Sequence, residues 1–218
     1  MKIPQTLKEF KFQTMKTTQN NRLTRVLSAL TVFTILSMSI MPTASANVVG
    51  FDFGSSFFKV TLVQPGNPFQ IVENTTGGRK TEAMITIANE NRLYGKDSWA
   101  GQSRYYQQTF FDVTQMLGLE YSDENVKELQ SKFVTNDFAT DERGLIAFQS
   151  FALDKKDETV EYFTEEMISM ILKYGRELAE TQAKGSVRDA VITVPNYFDQ
   201  EKRLMMYTAA ELAGLKIE

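Results

Sequence analysis

The chain of 218 residues contains no cysteine and no histidine. Without histidine there is no Ser-His-Asp triad, no Cys-His pair and no imidazole metal site. Without cysteine there is no disulfide framework, no thiolate zinc site and no iron–sulfur cluster. The G-x-G-x-x-G fingerprint of dinucleotide folds is also missing. Gly77-Gly78-Arg79-Lys80-Thr81 resembles the end of a P-loop, but Arg79 separates the glycines from the lysine and the upstream glycine is lacking. What remains for chemistry is carboxylates, lysine and arginine, hydroxyls and backbone amides, the groups that handle phosphate. A hydrophobic content of 42% and a charged content of 23% fit a globular protein.

The first forty-six residues read as a leader and not as part of the fold. Lys2, Lys8, Lys11, Lys16, Arg22 and Arg25 face a single acid, Glu9, and Val26 to Met41 then carries no charge. Ala44-Ser45-Ala46 follows, with small residues at the positions a signal peptidase reads, which predicts a secretory signal cleaved after Ala46. A membrane anchor is the rival, yet the sixteen apolar residues fall short of the ~20 that span a bilayer. A mitochondrial presequence is a weaker rival, because such segments are amphipathic and Arg-rich. Removing this segment from the 24 basic and 27 acidic residues leaves 18 against 26, net −8. Such a balance argues against nucleic acid or an anionic membrane as partner.

In the remainder, Val48–Phe53 and Phe57–Val63 are apolar, β-branched runs around Gly54-Ser55-Ser56, which predicts a hairpin. Phe69–Val72 is expected as a third strand, and Met84–Ala88 with Arg92–Tyr94 as a pair. From Asp97 to Leu129 the pattern is mixed and mostly helical, with further strands at Phe133–Asp137 and Leu145–Phe151. Thr164 is expected to cap a helix carrying Met167, Ile171, Tyr174 and Leu178 at helical spacing, with Gly185 as its stop. Ala190–Val194 reads as a fully buried strand ended by Pro195. Asp199 is expected to cap a second helix closed by Gly214, with a strand from Leu215. A chain that stops so soon into a strand is expected to be the front part of a longer protein.

Val49-Gly50-Phe51-Asp52-Phe53-Gly54-Ser55-Ser56 is the strongest local signal. A strand delivers an acid at its end, and a tight glycine turn with two hydroxyls then exposes amides that form a concavity for phosphate oxygens. Asp52 beside it suits a hydrated Mg²⁺, which takes one or two carboxylates plus water and phosphate. An ordinary hairpin turn is the plainer reading of the same residues.

This hairpin, the Ala190-Val191-Ile192-Thr193-Val194-Pro195 run, Tyr197-Phe198-Asp199-Gln200 with Arg203, and Ala213-Gly214-Leu215 occur in order. Together they resemble the Hsp70 chaperones of the actin-like ATPase superfamily over essentially all of 48–218, with a departure at Lys202, where that family has Gln or Glu. Val63-Gln64-Pro65-Gly66, Arg79-Lys80-Thr81 and Glu90-Asn91-Arg92 further resemble the large endoplasmic-reticulum branch, an ordinary luminal Hsp70 being the alternative.

The resemblance implies an α/β fold, lobe I of an Hsp70-type nucleotide-binding domain, incomplete at its C-terminus. Its core sheet subdomain would be 47–83 and 161–218, and its outer subdomain 84–160. It implies ATP/ADP and Mg²⁺ as ligands, with Gly54, Ser55 and Ser56 on the phosphates and Asp52 on water around the metal. Pro195 and Arg203 fall at the family's relay between nucleotide state and substrate domain. The plainer reading is that Pro195 ends a strand and Arg203 sits on a helix surface. The family pattern F-D-A-K-R-L-I-G aligns with Phe111-Asp112-Val113-Thr114-Gln115-Met116-Leu117-Gly118, so Thr114 stands where a lysine approaches the γ-phosphate. Losing such a group costs ~10²–10³ in rate, which puts efficient hydrolysis in question. Lys59, seven residues after Asp52, is the candidate substitute, at the spacing where actins place a phosphate lysine. Implied partners are unfolded clients and a luminal Hsp70, with no nucleic acid and no membrane after leader cleavage. Two alternatives stand beside an ATP-driven chaperone: a holdase or exchange factor with little turnover, and another actin-like phosphotransferase such as a sugar kinase. Asn74-Thr75-Thr76 is a sequon, which makes Asn74 a glycosylation candidate.

Overall fold

A computed structural model describes residues 47–88, 91–133, 136–151 and 159–217. The expected leader and residues 89–90, between the two paired strands, fall outside these residues. The largest sheet has the order β12 (Lys216–Ile217), β11 (Val187–Ile192), β1 (Asn47–Phe53), β2 (Phe57–Val63), β3 (Gln70–Ile71), with β4 (Thr81–Glu82) also pairing β2. Its centre is β1 (Asn47–Phe53), antiparallel to β2 (Phe57–Val63) and parallel to β11 (Val187–Ile192). Side chains alternate across these strands. Val49, Phe51 and Phe53 on β1 and Phe58, Val60 and Leu62 on β2 are buried on one face, which leaves Asp52 and Lys59 on the other. Only β3 (Gln70–Ile71) joins the ladder from the expected third strand, although Val72 N still donates to Val60 O.

Helix α4 (Thr164–Ala183) covers the buried face. Met167, Ile168, Ile171, Leu172, Gly175 and Ala179 form its apolar stripe, in keeping with the helical period. Gly175 is where the helix comes closest: a Cβ there would lie 2.6 Å from Phe51 Cε1 and 3.1 Å from Phe58 Cε2. The ends of α4 differ from expectation. Thr164 is the first helical residue, and its hydroxyl donates to Ile146 O, while Glu166 reaches back to accept from Phe163 N at 3.0 Å. The left-handed residue that stops the helix is Lys184 (φ 51°), one position before Gly185. The Glu180 carbonyl accepts from Lys184 N and Gly185 N, and its carboxylate accepts from Val187 N at the start of β11.

From β11 the chain crosses over through α5 (Gln200–Leu212) to the parallel strand β12 (Lys216–Ile217). Asp199 caps α5 as expected, its Oδ1 accepting from Lys202 N at 2.8 Å, and Gly214 (φ 76°) closes it. Met205, Met206, Ala209 and Ala210 bury the inner face of α5, which packs on α4. The Ala190–Val194 run is not fully buried, because Val191 is 53% exposed. Ala190 lies inward, and the alternate residue lies on the sheet face that the described helices leave open.

Two smaller antiparallel sheets complete the chain. One is β6 (Asn91–Tyr94), β5 (Met84–Ala88) and β7 (Thr109–Phe111), and the other is β8 (Asp137–Thr140), β9 (Ile146–Phe151) and β10 (Thr159–Phe163). Between β6 and β8 lie short helices α1 (Gly95–Gly101), α2 (Val113–Met116) and α3 (Asp123–Lys132), as the mixed pattern implied. The three-residue β7 inside that stretch is too short to leave a periodic signature. Phe110 and Phe148 meet edge-on at 5.0 Å and join the two sheets. Of the expected strand at Phe133–Asp137, Asp137 begins β8, and residues 134 and 135 lie outside the described residues. Phe133 instead ends α3 and buries its ring against Phe111 and Phe138.

Candidate functional site

The β1–β2 hairpin carries most of the expected site residues to one place. Gly54 N donates to Phe57 O at 3.0 Å and closes a tight loop, and a Cβ on Gly54 would stand 2.9 Å from that same oxygen. Only glycine fits so close an approach of backbone to backbone. Ser55 is half-buried and Ser56 exposed, and Ser56 O accepts from Ala83 N at 2.9 Å, which fixes the far side of the loop. β4 (Thr81–Glu82) pairs with Phe57 and Phe58 at that side. Lys80, from the segment that only resembles a P-loop, sets its ammonium 3.9 Å over the Phe57 ring.

Asp52 and Lys59 are directly opposite in the hairpin register. On the outward face Lys59 Nζ donates to Asp52 Oδ2 at 2.8 Å, with side chains 50% and 61% exposed. Thr114 comes to the loop from α2: buried, it donates its hydroxyl to Ser55 Oγ at 3.4 Å, a long bond. The residue that opens α2, Asp112, holds a left-handed backbone (φ 51°). Burial pushes its carboxyl above the ordinary range, with Lys132 pulling the other way.

A residue given no role by sequence reasoning, Thr193, ties β11 to the hairpin. Thr193 N donates to Phe51 O at 2.9 Å, and its Oγ1 accepts from Phe53 N at 3.2 Å. Its signal was in view, as the threonine two places before Pro195. Beyond it, Phe198 N donates to Pro195 O, and Phe198 O accepts from Arg203 Nε at 3.1 Å. Pro195 and Arg203 are therefore connected through the Phe198 backbone, but among the described residues no hydrogen bond or ion pair joins Arg203 to the hairpin loop.

Asn74 lies apart from this cluster and organises its own loop. Its Oδ1 accepts from Thr76 N, Thr76 Oγ1 and Gly78 N, and its Nδ2 donates to Lys80 O and Thr81 Oγ1. The nitrogen a glycan would occupy is thus already bonded twice.

Chemically, the hairpin offers two hydroxyls, loop amides, one carboxylate and one ammonium around a common edge. Among the described residues no three His, Cys, Asp or Glu side chains gather to hold a metal ion. Asp52 by itself fits a hydrated Mg²⁺ only when phosphate oxygens arrive with the ion to complete its shell. The residues therefore fit a metal carried in by a nucleotide and not a resident one.

A β-hairpin loop on a sheet that runs antiparallel on one side and parallel on the other is consistent with one lobe of an actin-like ATPase. The family model for the Hsp70 protein matches residues 48–218, and the chain belongs to the Hsp70 family. It is 35% identical to hypoxia up-regulated protein 1 of Xenopus laevis over 80% of this chain and 26% of that protein. Against the Gallus gallus protein of the same name it is 35% identical over 84% of this chain and 18% of the relative. Against that of Mus musculus it is 32% identical over 92% and 20%. The chain spans about a fifth to a quarter of the length of these relatives.

Proposed function

We propose that this chain is the nucleotide-gripping lobe of an ATP-binding chaperone that assists folding in the endoplasmic reticulum. One observation carries the reading: a glycine-closed hairpin loop, flanked by Asp52 and Lys59, on a sheet of the Hsp70 family. In this reading Gly54, Ser55 and Ser56 hold phosphate oxygens, Asp52 orients water around the incoming Mg²⁺, and Lys59 supplies the cation that Thr114 does not. Bound Mg²⁺ would neutralise phosphate charge. The core subdomain is 47–83 with 161–218, the outer one 84–160, and Pro195 and Arg203 pass the nucleotide state on through Phe198. Partners are unfolded clients and a luminal Hsp70, for which the protein would act as exchange factor.

The test follows aggregation of a chemically denatured client by light scattering with the intact protein. Aggregation is suppressed, ATP shortens client retention, and Ser56→Asp, which sets a like charge beside the phosphates, removes only the ATP effect. No suppression at all would refute the chaperone reading. A second reading, a holdase with little turnover, is favoured by Thr114 at the lysine position. Retention that ATP leaves unchanged would assign that one. Location is read by peptide mapping of the natural protein. The mature chain begins at Asn47, and Asn74 is unmodified, since its Nδ2 serves the loop. A start at Met1 or a glycan on Asn74 would overturn the respective assignment.

A further inference from the structure

The pairing of Lys59 with Asp52 has a consequence for metal use, and it rests on the nucleotide reading above. The register of the hairpin places the two side chains opposite each other, so their contact follows from the β1–β2 ladder and not from a chance rotamer. The ammonium holds Asp52 Oδ2 at 2.8 Å. Asp52 is also the single carboxylate that the hairpin offers to a hydrated metal, and no metal-holding cluster exists elsewhere among the described residues. A cation already holds the carboxylate that would orient the metal's water shell. A metal brought to the same carboxylate is repelled by the ammonium.

Lysine also carries three donors. One is spent on Asp52, which leaves two for phosphate oxygens at the loop between these strands. A divalent ion supplies the same service, neutralising the carboxylate and the phosphates together. At an exposed pair such as this the attachment is weak, on the order of surface ion pairs, so an arriving metal–nucleotide displaces the lysine from the carboxylate without unfolding anything.

We propose that Lys59 is a built-in counter-ion of Asp52, so that this phosphate site accepts a nucleoside diphosphate without divalent metal. The metal becomes an exchangeable alternative to the lysine and not a requirement for binding. With Lys59 removed, the bare Asp52 carboxylate faces the phosphates, and only Mg²⁺ relieves the repulsion.

The test measures the affinity of the intact protein for a fluorescent ADP analogue, once with excess Mg²⁺ and once with chelator. The natural protein changes its Kd by less than about threefold between the two. Lys59→Met binds about tenfold more weakly in chelator than in Mg²⁺, as expected for one uncompensated charge at contact distance in partial solvent. Lys59→Arg restores the natural ratio. Unchanged hydrogen exchange of peptides covering 48–63 shows that Lys59→Met is folded, which its exposed position already favours. If natural protein and Lys59→Met depend on Mg²⁺ equally, the counter-ion role is refuted while the nucleotide reading stands. If the natural protein binds no ADP under either condition, the nucleotide reading fails and this inference fails with it.

Discussion

Replacing Gly175 by alanine tests whether α4 seats the β1–β2 hairpin. Glycine inside a helix is costly, so on propensity alone the change stabilises by about 1 kcal/mol. The structure opposes this. The new methyl would stand 2.6 Å from Phe51 Cε1 and 3.3 Å from Phe51 Cζ, and 3.1 Å from Phe58 Cε2. Both rings are 1% exposed, so neither has open space to turn into. Relief requires α4 to lift from β1 and β2 or the rings to leave their rotamers, and overpacking of this kind costs about 1–3 kcal/mol. The net expectation is destabilisation by about 1 kcal/mol, felt first where Phe51 leads into Asp52 and the loop. Hydrogen exchange of peptides covering 48–63 reads it locally, without requiring the intact protein to unfold in one step. Exchange through the local opening accelerates roughly fivefold to tenfold. Exchange that is unchanged or slower would refute the reasoning, because the helix would then have gained its propensity at no packing cost.

The remaining predictions fall on sites already described. In the client assay, Ser56→Asp separates ATP control from client holding. In the ADP assay, Lys59→Met creates a Mg²⁺ requirement that the natural protein lacks. Peptide mapping finds Asn47 at the mature N-terminus and Asn74 bare. At the β8–β9 turn, Arg143 bridges Asp141 and Glu165, both buried carboxylates, at 2.7 Å each. Burial pushes Asp141 up, but hydrogen bonds from Leu145 N and from the side chain and amide of Arg143 outweigh it and hold its carboxyl below the usual range. A depressed acid contributes stability above its unfolded pKa of about 4 and loses it as pH falls through the lower folded value. Asp141→Asn should therefore speed exchange in 137–151 severalfold at pH 7, and the difference should narrow as pH falls below about 4, after correction for intrinsic rates. A difference that persists unchanged at pH 3 would assign the effect to shape and not to charge.

The hairpin, the helix capped by Asp199 and the strand pair at Met84–Tyr94 were legible because their signals are local. Alternation of Val49, Phe51 and Phe53 needs only neighbours two apart, and a cap needs only the next turn. The ends of α4 misled for a related reason. Thr164 and Gly185 have the right chemistry, yet Glu166 took the free amide of Phe163 and Lys184 took the left-handed turn, at positions whose use depends on where the chain goes next. The Ala190–Val194 run read as buried because composition cannot say whether a second layer covers a strand. Val191 shows that here one face lies open among the described residues.

By itself the sequence determined the β1–β2 hairpin, the two long helices and the exclusion of thiol and imidazole chemistry, since these depend on residue type and short spacing. Asp52 and Lys59 are an intermediate case: their separation is visible in the chain, but only the hairpin register sets them face to face. Tertiary structure alone decided that Thr114 meets Ser55, that Thr193 pins β11 to the hairpin, and that Phe198 links Pro195 to Arg203. Threonine and serine contacts between residues 59 apart, or 140 apart, leave no periodic trace. They arise when strands and helices dock under burial of their apolar faces, and a hydrogen bond between distant groups is fixed by that docking and not by either group's own neighbours.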